Sequence, residues 1–293
     1  MLKQMGLLLI GIPAVLALLA GCSATRIVNA LAPTDTYTRV EGVRFGAADL
    51  QLDIYRPTGT HGASPVVVFF YGGNWQSGSR SDYLFVGEAL ASRGITAVLA
   101  DYRLYPAAKY PDFLADSAAA VRWASEHIAE FGGDPARLYL MGHSAGAYNA
   151  AMLALDQRWL AQAGFSGPAP RGWIGLAGPY DFLPLTDPAL QAIFAPRDGW
   201  PATQPIHYVQ AGVPPTLLLT ADGDTTVYPR NSEHLAAALR ASGNQVAWLR
   251  YTGTSHAGLI GALSYPLRHR RDVLDQISRF VQTGQLPADK TAD

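Results

Sequence analysis

Between residues 65 and 251, short apolar stretches alternate with longer segments of helical periodicity, and this alternation constrains the fold more than any other feature. Pro65–Tyr71 (Pro-Val-Val-Val-Phe-Phe-Tyr) is a continuous apolar run, the mark of a strand buried on both faces. Ile95–Tyr102, Arg137–Met141, Trp173–Leu176, Thr216–Thr220 and Gln245–Tyr251 also read as strands. Helices are expected over about 83–92, 113–131, 145–155, 231–241 and 265–283. Such alternation predicts an α/β fold, a mostly parallel sheet with helices on both faces. Ahead of it, Val40–Phe45 and Leu50–Tyr55 alternate apolar and polar residues, as an antiparallel pair with one wet face does. Residues 180–212, rich in Pro and aromatics, break the alternation and read as an insertion, a lid or pocket wall.

Composition removes several function classes. Hydrophobic residues make up 49% of the chain and charged residues 15%, so there is ample apolar surface to offset the entropy of ordering. Lys+Arg 22 against Asp+Glu 23 gives a net charge of −1, with no basic run, which argues against nucleic acid as a partner. The seven His show no HExxH or other clustered ligand spacing, so neither a metal nor a cofactor is expected.

The single Cys, Cys22, excludes an intramolecular disulfide. It follows Lys3, an apolar run from Leu7 to Ala20 and Gly21, the layout of a secretory signal. Leu19-Ala20-Gly21-Cys22 resembles a bacterial lipobox, in which the Cys is acylated and becomes the first residue of the mature chain. The expected organisation is a signal peptide at 1–21, a lipid-anchored spacer at 22–38, one α/β domain at 39–283 carrying the 180–212 insertion, and a polar tail at 284–293. Ser23 resembles the outer-membrane sorting pattern, so the expected location is the cell envelope, anchored by lipid to the outer membrane and facing the periplasm.

Gly142-His143-Ser144-Ala145-Gly146 is G-x-S-x-G, placed directly after a predicted strand and before an Ala-rich helix. That setting is what a nucleophile elbow requires: the turn lifts the Ser144 hydroxyl above the sheet edge, and the helix directs its N-terminal N–H groups at developing negative charge. A serine hydroxyl also needs a base and an orienting acid. Of the four His downstream, His207 falls in the insertion, while His234 and His269 fall in predicted helices. His256 lies in a Gly-rich loop after the last strand and is the candidate base. The acid is Asp222 or Asp224, both at the end of strand Thr216–Thr220. Tyr71-Gly72-Gly73-Asn74-Trp75 closes another strand with a Gly-rich turn, whose N–H groups can form an oxyanion hole with that of Ala145.

These segments together resemble the carboxylesterase and acetyl-esterase branch of the α/β-hydrolase superfamily, which includes hormone-sensitive-lipase-like, feruloyl/acetyl-xylan-esterase-like and kynurenine-formamidase-like enzymes. The resemblance also rests on Asp101–Leu104, Val121–Trp123, Gly132–Pro135 and Gly178–Asp181, and it spans roughly residues 40–282. It implies that Asp224, heading Asp-Thr-Thr-Val, is the acid, and that Gly73 and Asn74 donate the oxyanion N–H groups. Tyr71 replaces the family's His, and Asn74 stands where many members carry Gly; neither change removes a backbone donor.

The expected activity is that of a serine carboxylic-ester hydrolase using Ser144, His256 and Asp224 on short-chain acyl esters, with a small-molecule ester as partner. The rivals are an arylformamidase, amidase or peptidase with the same triad, and a non-catalytic lipoprotein with a hydrolase fold. For the leader, Cys22→Ser is expected to leave the protein soluble or unprocessed. A mutant that matures and partitions into membranes like the wild type would rule the lipobox out.

Overall fold

In the computed structural model, residues 24–290 are described, apart from positions 48 and 61. Cys22 and the proposed signal peptide lie outside the described residues. Eight strands form one sheet: β1 (Tyr37–Phe45), β2 (Leu50–Pro57), β3 (Ser64–Phe70), β4 (Thr96–Ala100), β5 (Gly133–His143), β6 (Gly172–Leu176), β7 (Thr216–Ala221) and β8 (Val246–Tyr251). Their order is β1-β2-β4-β3-β5-β6-β7-β8. β1 pairs antiparallel with β2, and β2 antiparallel with β4; from β4 through β8 every pairing is parallel.

The expected α/β class holds for a simple reason. Val66 to Phe70, like the residues of β4, β6 and β7, are buried on both sides, so helices must cover both faces. The helices are α1 (residues 24–30), α2 (Leu84–Ala91), α3 (Asp112–His127), α4 (Ala145–Leu155), α5 (Arg158–Gln162), α6 (Pro188–Ile193), α7 (Arg230–Ala241), α8 (His256–Gly261) and α9 (Val273–Thr283). α3 ends in a 3₁₀ turn at Ile128–Phe131, closed by Gly132 in the left-handed region.

Two expectations need correction. The helix expected over 265–283 is only α9, Val273–Thr283; turns precede it. Arg268 is drawn aside to the buried Glu88 at 3.0 Å, and Pro266 does not favour a continuous helix there. The stretch around His256 is no open loop either. His256 begins α8, whose N-cap Ser255 accepts a hydrogen bond from the Gly258 N–H.

Both ends of the described stretch are tied to the body. Asn29 on α1 donates to the carbonyls of Ser81 and Asp82 and accepts from the Phe85 N–H. Beyond α9, the Arg250 N–H donates to the Lys290 carbonyl at 2.9 Å and the Trp248 N–H to Asp289, which covers the outer edge of β8.

The sheet's antiparallel end is held by buried charge. Asp53, 1% exposed on β2, accepts from Arg39, Arg80 and the Gly42 N–H at 2.8 Å each. Burial works against its charge, but the bonds from Arg39 and Arg80 prevail and hold its carboxyl below the usual range. Arg80 also pairs with Asp101 at the end of β4. Removing the Asp53 carboxylate leaves the Gly42 N–H unpaired and takes one acceptor from each guanidinium, although Arg39 keeps Glu41 and Arg80 keeps Asp101, so Asp53→Ala is expected to cost about 2 kcal/mol, read as a lowered urea midpoint.

Candidate active site

The parallel strands deliver the candidate residues to one edge of the sheet. Ser144 follows β5 and immediately precedes α4, with φ 54 and ψ −122, a conformation that non-glycine residues seldom adopt. Two glycines make this turn sterically possible. A Cβ on Gly146 would stand 2.0 Å from the Phe70 carbonyl oxygen, and one on Gly142 would stand 2.1 Å from the Gly146 carbonyl oxygen. The Ser144 N–H is secured to the Leu176 carbonyl at 2.9 Å, and the Ser144 carbonyl accepts from Ala147.

Asp224 follows β7 and His256 follows β8. His256 Nδ1 lies 2.7 Å from Asp224 Oδ2. Asp224 Oδ1 accepts from the Thr226 and Val227 N–H groups at 2.9 and 2.8 Å, so both carboxylate oxygens are engaged and the side chain is 1% exposed. A carboxylate can only accept from the ring, which puts the proton on Nδ1 and leaves Nε2 as the basic nitrogen. Asp222 is a neighbour of this arrangement without a bond to the imidazole; its N–H donates to the Tyr251 carbonyl. The Gly223 N–H donates to the Thr254 carbonyl at 3.2 Å, joining the acid loop to the base loop.

The turn after β3 completes the edge. Gly73, Asn74 and Trp75 all take positive φ, at 133, 53 and 57. A Cβ on Gly73 would lie 2.0 Å from the Ser77 carbonyl oxygen, so only glycine fits. Trp75 fastens the turn into the core: its indole N–H donates to Asn149, and its ring lies 5.6, 5.1 and 4.9 Å from those of Phe113, Tyr148 and Phe194. Tyr71, in the place of the family's His, stacks on Tyr102 at 4.6 Å and fills its site with aromatic surface.

Asn74, Ser144 and Ala145 line one cavity of about 220 Å³. Gly73 shapes the turn beside it. Phe182, Leu185 and Leu190 of the insertion and Val227 of the acid loop supply apolar wall. Trp75 and, among the aromatics of the insertion, Phe182 line the cavity. Tyr180, Phe194 and Trp200 instead bury themselves in packing the insertion onto the core, and Tyr208 packs partly buried against it. His234 pairs with Asp181 at 2.6 Å, away from the triad candidates.

One residue of the site escaped the sequence reading. His143, the second position of the pentapeptide, is buried, and its ring lies 4.8 Å from that of His256. Burial first, and then the neighbouring His256, push its pKa down to about 3.

Residues 52–166 match the BD-FAE family. A probable isoprenylcysteine alpha-carbonyl methylesterase of Arabidopsis thaliana is 29% identical over 241 residues, 74% of this chain and 50% of that protein. Carboxylesterase NlhH of Mycobacterium tuberculosis is 39% identical over 110 residues, 37% of this chain and 34% of its own. Among solved structures, a thermostable esterase from Pseudomonas putida superposes with a TM-score of 0.68 at 26% identity, covering 90% of this chain and 89% of that one. The chain spans about half the length of the first of these relatives. The chain has the α/β-hydrolase fold and is similar to carboxylesterases of that superfamily.

The low pKa of His143 has a consequence for stability. The unfolded imidazole takes a proton near pH 6.5, whereas the folded one stays neutral down to about pH 3. This contribution is therefore complete above about pH 6.5 and is lost progressively as the pH falls toward 3. Unfolding free energy should drop by about 2 kcal/mol between pH 7 and pH 5 from this group alone. His143→Phe should remove that part of the slope in urea titrations at the two pH values.

Proposed function

We propose that the protein is a serine carboxylic-ester hydrolase acting on short-chain acyl esters through an acyl-enzyme. One observation carries the reading: strained Ser144 heads a helix in the same cavity as Asn74 and Ala145, on the sheet edge that also carries a His256–Asp224 pair whose tautomer is fixed.

The chemistry follows from that arrangement. Ser144 Oγ attacks the ester carbonyl carbon while its proton passes to His256 Nε2. Asp224 accepts from Nδ1–H and stabilises the imidazolium without taking the proton. The carbonyl oxygen becomes an oxyanion that the N–H groups of Gly73, Asn74 and Ala145 are assigned to bind. Collapse expels the alcohol, which leaves with the proton from Nε2. Water then attacks the acyl-enzyme by the same steps, giving the carboxylic acid and free Ser144.

The acyl preference rests on the cavity. About 220 Å³ bounded by Phe182, Leu185 and Leu190 suits a short acyl group. Its wall is fastened rather than free: Phe194 packs on Trp75, the Tyr148 hydroxyl donates to the Thr203 carbonyl, and Gln204 accepts from the Phe182 N–H. Each methylene left outside forfeits about 0.8 kcal/mol of burial.

We also propose that lipid on Cys22 anchors the enzyme to the outer membrane, facing the periplasm. Docking of α1 through Asn29, so soon after that position, would hold the body close to the bilayer. Among the described residues no helix is long and apolar enough to cross a membrane.

Ser144→Ala is expected to lower kcat by about 10⁴-fold with KM nearly unchanged. Asp224→Asn should cost on the order of 10³- to 10⁴-fold, and Asp222→Asn far less. Steady-state rates on p-nitrophenyl butyrate decide this; the reverse ranking of the two Asp variants would overturn the choice of acid. Among p-nitrophenyl esters, kcat/KM for acetate or butyrate should exceed that for laurate or palmitate at least ~10-fold. A rise beyond eight carbons would show an open, lipase-like pocket.

A further inference from the structure

The catalytic reading leaves His143 without a role, yet its position is costly. It is 5% exposed, and Nε2 lies 3.4 Å from the backbone carbonyl oxygen of His256. A carbonyl only accepts, so Nε2 carries the ring proton and Nδ1 is left with a bare lone pair. That nitrogen is buried and has no hydrogen-bond partner. An unpaired buried acceptor costs stability, which an apolar ring of the same shape would avoid.

The surroundings of the ring suggest what offsets the cost. A Cβ added to Gly72 would come within 3.0 Å of both His143 Nδ1 and the Ser144 Cβ, so the imidazole rests against the root of the oxyanion turn. On its other side the ring meets that of His256, and Tyr83, whose hydroxyl accepts from the Gly72 N–H, lies 6.5 Å away. Backbone continuity joins His143 to Ser144. One side chain therefore touches the base, through its carbonyl and ring, and the oxyanion turn, while its own backbone carries the nucleophile.

We propose that His143 is a positioning residue, a neutral strut that holds the His256 segment and the oxyanion turn in register about Ser144. The proposal rests on the serine-hydrolase reading and adds a residue to it. His256 opens the short helix α8 and is held from one side by Asp224. The His143 bond to its carbonyl supplies a second point of attachment, which limits rotation of the ring about the Asp224 contact. Because His143 stays neutral, it does not compete for the Ser144 proton, and it places no second positive charge beside the imidazolium. A misplacement of about 1 Å between nucleophile and base is worth up to ~10²-fold in rate.

The test compares three variants of the full-length mature enzyme on p-nitrophenyl butyrate, with fluorophosphonate labelling of Ser144 as a second readout. His143→Phe keeps a ring but loses the donor. His143→Gln keeps a donor on a flexible chain, and His143→Met has similar length with none. For Phe and Met we expect kcat to fall about 30-fold with KM within about twofold, and labelling to slow in parallel. Gln should restore kcat to within about fivefold of wild type. His143→Phe should also be at least as stable as wild type at pH 5, a gain in stability with a loss in rate that a merely structural role would not produce. The proposal is overturned if folded Phe and Met variants keep kcat within threefold of wild type, if Gln is no better than Met, or if all three fail to fold. Absence of labelling in the wild type, with Ser144→Ala as control, would instead sink the hydrolase reading.

Discussion

The approach of the β5–α4 turn to the end of β3 is the constraint on which the rest of the site depends. Gly146 sits against the Phe70 carbonyl at a distance that no side chain would survive, and Gly142 sits equally close to Gly146. Pressed together in this way, the backbone forces Ser144 to φ 54 and raises its side chain off the sheet. The strain is of order 1–3 kcal/mol, and the parallel pairing of β3 with β5 and of β5 with β6 holds it in place. Parallel topology does the remaining placement. The ends of β3, β5, β7 and β8 lie along one edge, so the Gly73–Trp75 turn, Ser144, Asp224 and His256 fall on that edge despite their separation in sequence.

Each of these loops has its own fastening. Trp75 pins the Gly73–Trp75 turn through Asn149, whose amide in turn donates to Ser117 on α3. The segment that packs beneath the turn is held by Arg80, shared between Asp53 and Asp101, and by Tyr83. Asp224 is fixed by two N–H groups of its own loop and by the imidazole. Preorganisation of this kind matters because the groups meeting developing charge then need not reorganise at the moment of reaction.

Most of the sheet was legible in the sequence because its parallel strands are buried on both faces and leave unbroken apolar runs, as Val66–Phe70 does. α4 was legible over Ala145–Leu155 because it is apolar on all sides and bounded by the elbow. Expectation failed where distant contacts overrode local preference. Arg268 leaves the expected helix for Glu88, 180 residues away, and six residues with two glycines gave no sign that α8 would form. In the site, G-x-S-x-G pointed to Ser144 because close backbone approach demands those glycines. Spacing alone did not separate Asp222 from Asp224; the distinction lies in which carboxylate turns back to the Thr226 and Val227 N–H groups and reaches His256. His143 was invisible as a strut because its partner is a backbone carbonyl 113 residues away, and a backbone atom leaves no mark on residue identity.

The aromatic cluster around Trp75 joins two functions that are commonly treated apart. Phe194 of the insertion meets the Trp75 ring edge-on at 4.9 Å, and Phe182, which lines the cavity, meets Phe194 at 5.6 Å. Tyr148 on α4 contacts Trp75, Phe182 and Phe194, and its hydroxyl is held by the Thr203 carbonyl. A change in the cavity wall at Phe182 is therefore felt at the Gly73–Trp75 turn, one ring away. Close packing transmits such displacement because the rings have no void to yield into. The cavity wall and the Gly73–Trp75 turn are thus packed as one unit, with the buried Phe194 between Phe182 and Trp75. Phe182 lies at the margin of the cluster, in the cavity and not in contact with Trp75 through any ring pair of its own. A change at Phe182 therefore reaches the Trp75 turn only through Tyr148 or Phe194, whereas a change at Phe194 reaches it directly.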